Sequence, residues 1–63
     1  MTRIAKPAIN NGEWSRIARK THRHESGIVV RYDFNRCLWE IVGGKEDGAF
    51  YYTLNVAQHA ATR

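Results

Sequence analysis

The apolar positions of this chain concentrate in one stretch, Gly27 to Val42, with the sequence GIVVRYDFNRCLWEIV. Ile28, Val29, Val30 and Tyr32 form one run of strand formers, and Trp39, Ile41 and Val42 form a second. Asp33, Phe34, Asn35 and Arg36 interrupt them. Asp and Asn favour turns because their side chains bond nearby backbone and tolerate left-handed angles. The pattern predicts two antiparallel strands, 28–33 and 37–42, joined by a short turn. Period two then sorts the faces. Ile28, Val30 and Tyr32 share one side of the first strand, and Val29, Arg31 and Asp33 the other. In the second strand Cys37, Trp39 and Ile41 oppose Leu38, Glu40 and Val42. Neither face of this second strand is cleanly polar, so either both sides are partly covered or one of them binds something.

Downstream, Gly43 to Gly48 (GGKEDG) reads as a connection between strands. It lacks the Lys-Ser/Thr ending of a phosphate-binding loop, and two acids sit where an anion would approach. Ala49 to Leu54 (AFYYTL) is the third expected strand, with Phe50, Tyr52 and Leu54 toward the core and Tyr51 on the opposite face. Asn55 to Thr62 reads as a short helix, with Thr53 or Asn55 near its start. Val56, Ala57, Ala60 and Ala61 give it a small-residue stripe. Eight residues are too few to stay helical alone, so this helix must dock on the sheet.

Upstream, Pro7 and Asn10-Asn11-Gly12 are breakers, and residues 1–12 are expected to form a flexible N-terminal segment. Residues 13–24 (EWSRIARKTHRH) admit two readings. Trp14, Ile17, Ala18 and Thr21 fall at helical spacing, with Asn10 or Asn11 as a cap. Alternatively the segment is extended, turns at Ser26-Gly27 and pairs with 28–33. The preferred expectation is a short helix or irregular arm to about Lys20, followed by an extended segment. The predicted class is thus α+β: a single small domain over 13–63, built from a three-stranded antiparallel sheet with a C-terminal helix on one face, preceded by a basic arm or short helix.

Length narrows this further. A 63-residue chain buries only about 60% of its unfolded surface, so its core is marginal. Cys37 is the sole cysteine, which rules out an internal disulfide and fits a reducing compartment. No apolar run approaches the roughly 20 residues of a membrane span, and MTRIAKPAINNG lacks the apolar stretch of a signal peptide. These features lead to the expectation of a cytoplasmic protein without a membrane partner.

The net charge of +4 is unevenly placed. Arg3, Lys6, Arg16, Arg19, Lys20, Arg23 and Arg31 face only Glu13 and Glu25 in residues 1–31, whereas the remainder is slightly acidic. Local basic excess is what a phosphate-binding surface needs, because neutralised phosphates release counterions. His22 and His24 would point the same way on a strand and could share a metal, but no further ligand has suitable spacing. Neither a metal nor any other cofactor is expected. Cys37 with a histidine is the sole conceivable catalytic pair, and a cysteine in an apolar strand is more often a small core residue. Neither an enzyme nor a small-molecule substrate is expected.

From Gly27 to Ala61 the pattern resembles the three-stranded sheet plus helix of AP2-type DNA-binding domains and of the arm-binding N-terminal domains of phage-type integrases. Gly27 opens the first strand and Arg31 lies within it; Trp39 sits in the second strand. Gly48, Phe50 and Thr53 mark the third, and Ala57 and Ala60 the small face of the helix. The resemblance implies a sheet that binds DNA. Together with the basic run, it makes a nucleic-acid-binding module the leading expectation, with DNA favoured over RNA. Arg16, Arg19, Lys20 and Arg23 would position the module on phosphates, while Arg31, Arg36 and Trp39 would contact bases or sugars. The alternative is a small protein-interaction or homodimerising domain, motivated by two-sided apolar strands and open sheet edges.

Overall fold

The computed structural model describes residues 14–63, so the expectation for 1–12 lies outside the described residues. Five strands form one antiparallel meander: β1 (Trp14–Ala18), β2 (Thr21–His24), β3 (Val29–Asp33), β4 (Leu38–Val42) and β5 (Phe50–Tyr51), in the order β1-β2-β3-β4-β5. One helix, α1 (Leu54–Ala61), follows and packs on β3, β4 and β5. The small α+β class and the C-terminal helix agree with the sequence pattern. The strand count does not: the sheet has five strands, not three.

The two extra strands of structure lie largely where a helix or arm was expected. Residues 14–24 form a hairpin, with Trp14 opposite His24 and Arg16 opposite His22. Helical spacing of Trp14, Ile17, Ala18 and Thr21 is outweighed by a pairing need. β2 covers the edge of β3, with His22 opposite Val30 and Thr21 opposite Arg31, and so satisfies backbone groups that a helix would leave unpaired. A register irregularity between Arg16 and Ala18 leaves Ile17 exposed in β1. The turn at Arg19-Lys20 is closed with Lys20 in the left-handed region, φ 54°.

The core is a single layer between sheet and helix. Val30 and Ile41 are opposite one another and fully buried. Trp39, Ala57, Ala60 and Ala61 complete the buried apolar set, and Ile28, Tyr32, Tyr51 and Leu54 pack around it. The alanines let the helix backbone lie close to the sheet; Val56, grouped with them in the sequence pattern, is exposed. Thr53 caps α1 by accepting a hydrogen bond from Val56 N at its Oγ1, 3.2 Å away. Gly44 is fixed by crowding as well as by its φ of 75°: a Cβ there would come within 2.8 Å of Ile28 Cδ1. No helix among the described residues is long and apolar enough to cross a membrane.

Three further expectations are corrected. The third strand is only two residues long, because Tyr52 and Thr53 bend the chain into the helix; Leu54 reaches the core as a helical residue. In that short strand Tyr51 pairs with Trp39 on the helix side, where its hydroxyl donates to Glu46 at 2.9 Å, whereas Phe50 lies on the opposite face. Cys37 precedes β4 instead of belonging to it. It is exposed in the β3–β4 turn with a φ of 59°.

The close approach of α1 sets a stability test. Ile41→Val removes one methylene from a fully buried position and is expected to cost about 1 kcal/mol. Ala57→Leu forces volume between helix and sheet and is expected to cost about 2 kcal/mol. Urea unfolding followed by tryptophan fluorescence reads both; a neutral Ala57→Leu would contradict the packing described.

Candidate nucleic-acid interface

Residues opposite one another in an antiparallel sheet share a face, so the register assigns every side chain a side. The helix occupies the side of Val30, Trp39 and Ile41. The other side carries Arg23, Val29 and Val42 in one row, then Thr21, Arg31, Glu40 and Phe50, then Asp33 and Leu38. No other element among the described residues packs over this side.

Two arginines on it are braced. Arg31 Nε donates to Glu40 Oε1 at 3.1 Å across the β3–β4 pair, leaving the two terminal nitrogens of its fork for a ligand. The Arg36 guanidinium lies over the Phe50 ring, 4.8 Å from its centroid, and its Nη1 donates to Asp33 Oδ2 at 3.2 Å. Such contacts reduce the side-chain freedom that a ligand would otherwise have to freeze. Asp33 also accepts from Asn35 N and Arg36 N at its Oδ1. The hydrogen bond from Arg36 N leads the causes that hold its carboxyl below the usual range, joined by the Asn35 N–H and the Arg36 side chain.

The remaining predicted positions disperse. Arg19 and Lys20 form the tip of the β1–β2 hairpin. The Lys20 ammonium sits 5.1 Å from the Tyr32 ring centroid and 5.7 Å from that of Trp39. Arg16 projects by register to the helix side, beside His22. Trp39, expected to reach a ligand from the same surface as Arg31, is 8% exposed and belongs to the core, packed edge-on against Tyr32. The basic run from Arg16 to Arg23 therefore does not make one patch: alternation along β1 and β2 sends Arg16 and Arg23 to opposite faces. Sequence reasoning also missed Thr21, Glu40 and Phe50 as members of the open face. Only the pairing partners of Arg31 reveal them.

His22 and His24 sit on the helix side of the sheet. His24 is buried against Trp14, ring centroids 5.0 Å apart, and its Nδ1 accepts from Ser26 N, which leaves the ring proton on Nε2. Burial, and then the neighbouring Arg16 charge, push the His22 imidazole below its ordinary value. Among the described residues no three His, Cys, Asp or Glu side chains gather in a way that could hold a metal ion. A groove of about 670 Å³ lies between the β2–β3 turn, the β4–β5 loop and the end of α1; Lys45 and Arg63 line it together with Glu25 and Glu46, so its charges offset one another. Comparison with known proteins gives no matching family model, no matching curated protein and no matching solved structure.

Because His22 is held below its ordinary value in the folded chain, the unfolded chain takes up that proton first. Stability from this group is intact above the ordinary imidazole range and falls as the pH drops through it. Arg16→Gln removes one of the two causes, so His22 is expected to titrate at higher pH and the loss in acid to shrink. NMR titration of the His22 ring protons reads the shift; an unmoved titration would show that Arg16 exerts no field there.

Proposed function

We propose that this chain is a small DNA-binding module that lays its open sheet face against a duplex and acts by binding, without catalysis. The observation that carries the proposal is the bare face itself, with Arg23 and the braced Arg31 and Arg36 projecting from it. Three strands at about 4.8 Å spacing span roughly 10 Å, a width suited to a major groove of about 12 Å. Arginine forks suit both phosphate and the guanine edge. Arg31, whose fork is steadied by Glu40 from the neighbouring strand, is the residue assigned to base contact. Arg23 and Arg36 flank it, and Arg19 at the hairpin tip reaches for backbone phosphates. The resemblance of 27–61 to AP2-type and integrase arm-binding domains supports the same use of the sheet.

A second reading is favoured by one specific observation. Val29, Val42, Leu38 and Phe50 are half-buried on the same open face and give it an apolar strip. A second copy of the chain laid face to face would cover that strip.

Salt separates the two readings. Duplex binding measured by fluorescence anisotropy is expected to weaken steeply as salt rises. Arg31→Ala is expected to lower affinity by about 1–3 kcal/mol and to flatten discrimination between duplex sequences. Sedimentation of the free chain provides the counter-test, because a dimer sealed by the apolar strip persists at high salt. A salt-resistant dimer with no duplex affinity would sink the DNA reading in favour of self-association.

A further inference from the structure

The β1–β2 and β3–β4 turns lie at the same end of the sheet. The β1–β2 turn presents Arg19 and Lys20, and the β3–β4 turn presents Phe34, Asn35 and Arg36. They are tied together, since Tyr32 N donates to Lys20 O at 3.0 Å. At this end Phe34 is 65% exposed even though its ring meets Tyr32, centroids 4.9 Å apart and nearly perpendicular. Tyr32 in turn carries the Lys20 ammonium. An exposed phenylalanine is thus held against a ring that is itself steadied by a cation, with Arg36 two residues on.

The turn that carries Phe34 is closed by its own bonds. Cys37 N donates to Asp33 O at 2.7 Å, and Asp33 Oδ1 accepts from Asn35 N and Arg36 N. The one carboxylate in the turn is paired with the Arg36 guanidinium at 3.2 Å, which offsets its charge. Tyr52 is more exposed than Phe34, but no cation–ring or ring–ring contact among the described residues steadies it.

Resting on the DNA-binding reading, we propose that the joined hairpin tips form a stacking site for an unpaired base, with Phe34 as the platform and Arg19 and Lys20 holding the phosphates beside that base. An aromatic face flanked by cations is the arrangement that binds single strands with little sequence preference. Joined to a duplex-binding sheet face, it makes a duplex bearing a single-stranded extension the preferred ligand over a blunt one.

The test compares the whole chain on a labelled blunt duplex and on the same duplex with a short single-stranded extension, by fluorescence anisotropy at fixed salt. The extension is expected to tighten binding about tenfold. Phe34→Ala is expected to abolish that gain while leaving blunt-duplex affinity unchanged, and Phe34→Trp to retain it. A 2-aminopurine placed in the extension reports the stacking directly, through quenching by the native chain and by Phe34→Trp but not by Phe34→Ala. Equal binding to both duplexes by the native chain, or a Phe34→Ala chain that still prefers the extension, would overturn the stacking site and leave the duplex reading standing. A chain that binds neither duplex removes both.

Discussion

The pairing of Val30 with Ile41 is the constraint on which the rest of the structure depends. Among the described residues these two side chains are the largest to be completely buried, and they meet across the central strand pair. Full burial of residues of this size contributes roughly 1.5–3 kcal/mol each, a large share of what so small a domain can accumulate. Once they are committed to one side, alternation commits the rest. Trp39 and Tyr32 must follow them inward; Arg31, Glu40, Val29 and Val42 must turn outward. The open face is in this sense a by-product of the core.

That coupling explains why the open face combines arginine with valine and leucine. A one-layer core of this size is sealed on one side by a single short helix, and the alanines of α1 make that seal close but narrow. The outward side chains of β3 and β4 still need to support strand geometry, which favours β-branched and long apolar residues. Arg31 and Arg36 therefore project from an apolar setting, braced by Glu40 and by the Phe50 ring, and not from a field of loose lysines. In that setting their side chains are better ordered than they would be on a flexible tail.

The strands β3 and β4 and the helix α1 could be read directly from the sequence, because their signals are local: β-branched alternation around an Asp-Asn turn, and small residues after a capping threonine. What escaped depended on partners distant in the chain. Trp14, Ile17, Ala18 and Thr21 satisfy a helical period by coincidence, and only the open edge of β3 decides for a hairpin. The face of Trp39 follows from its register with Tyr32 and from the side on which the helix docks; neither is encoded around Trp39 itself. Phe50 and Tyr51 exchange the roles expected of them because a two-residue strand is too short for alternation to show. Of the candidate site, Arg23, Arg31 and Arg36 lie together on the open face. Arg16 and Trp39 do not, since strand period and core burial override their chemistry.

Because α1 covers β3, β4 and β5 alone, the β1–β2 hairpin is joined to the body of the domain by the β2–β3 ladder, by Trp14 against the edge of the core, and by His22 and Lys20 against the Trp39 ring. Such an element is the first to open when the domain breathes, at a free energy well below that of global unfolding. Four of the basic residues ride on it. A ligand that gripped them would also hold the hairpin against the body, so part of its binding energy would go into tightening the fold.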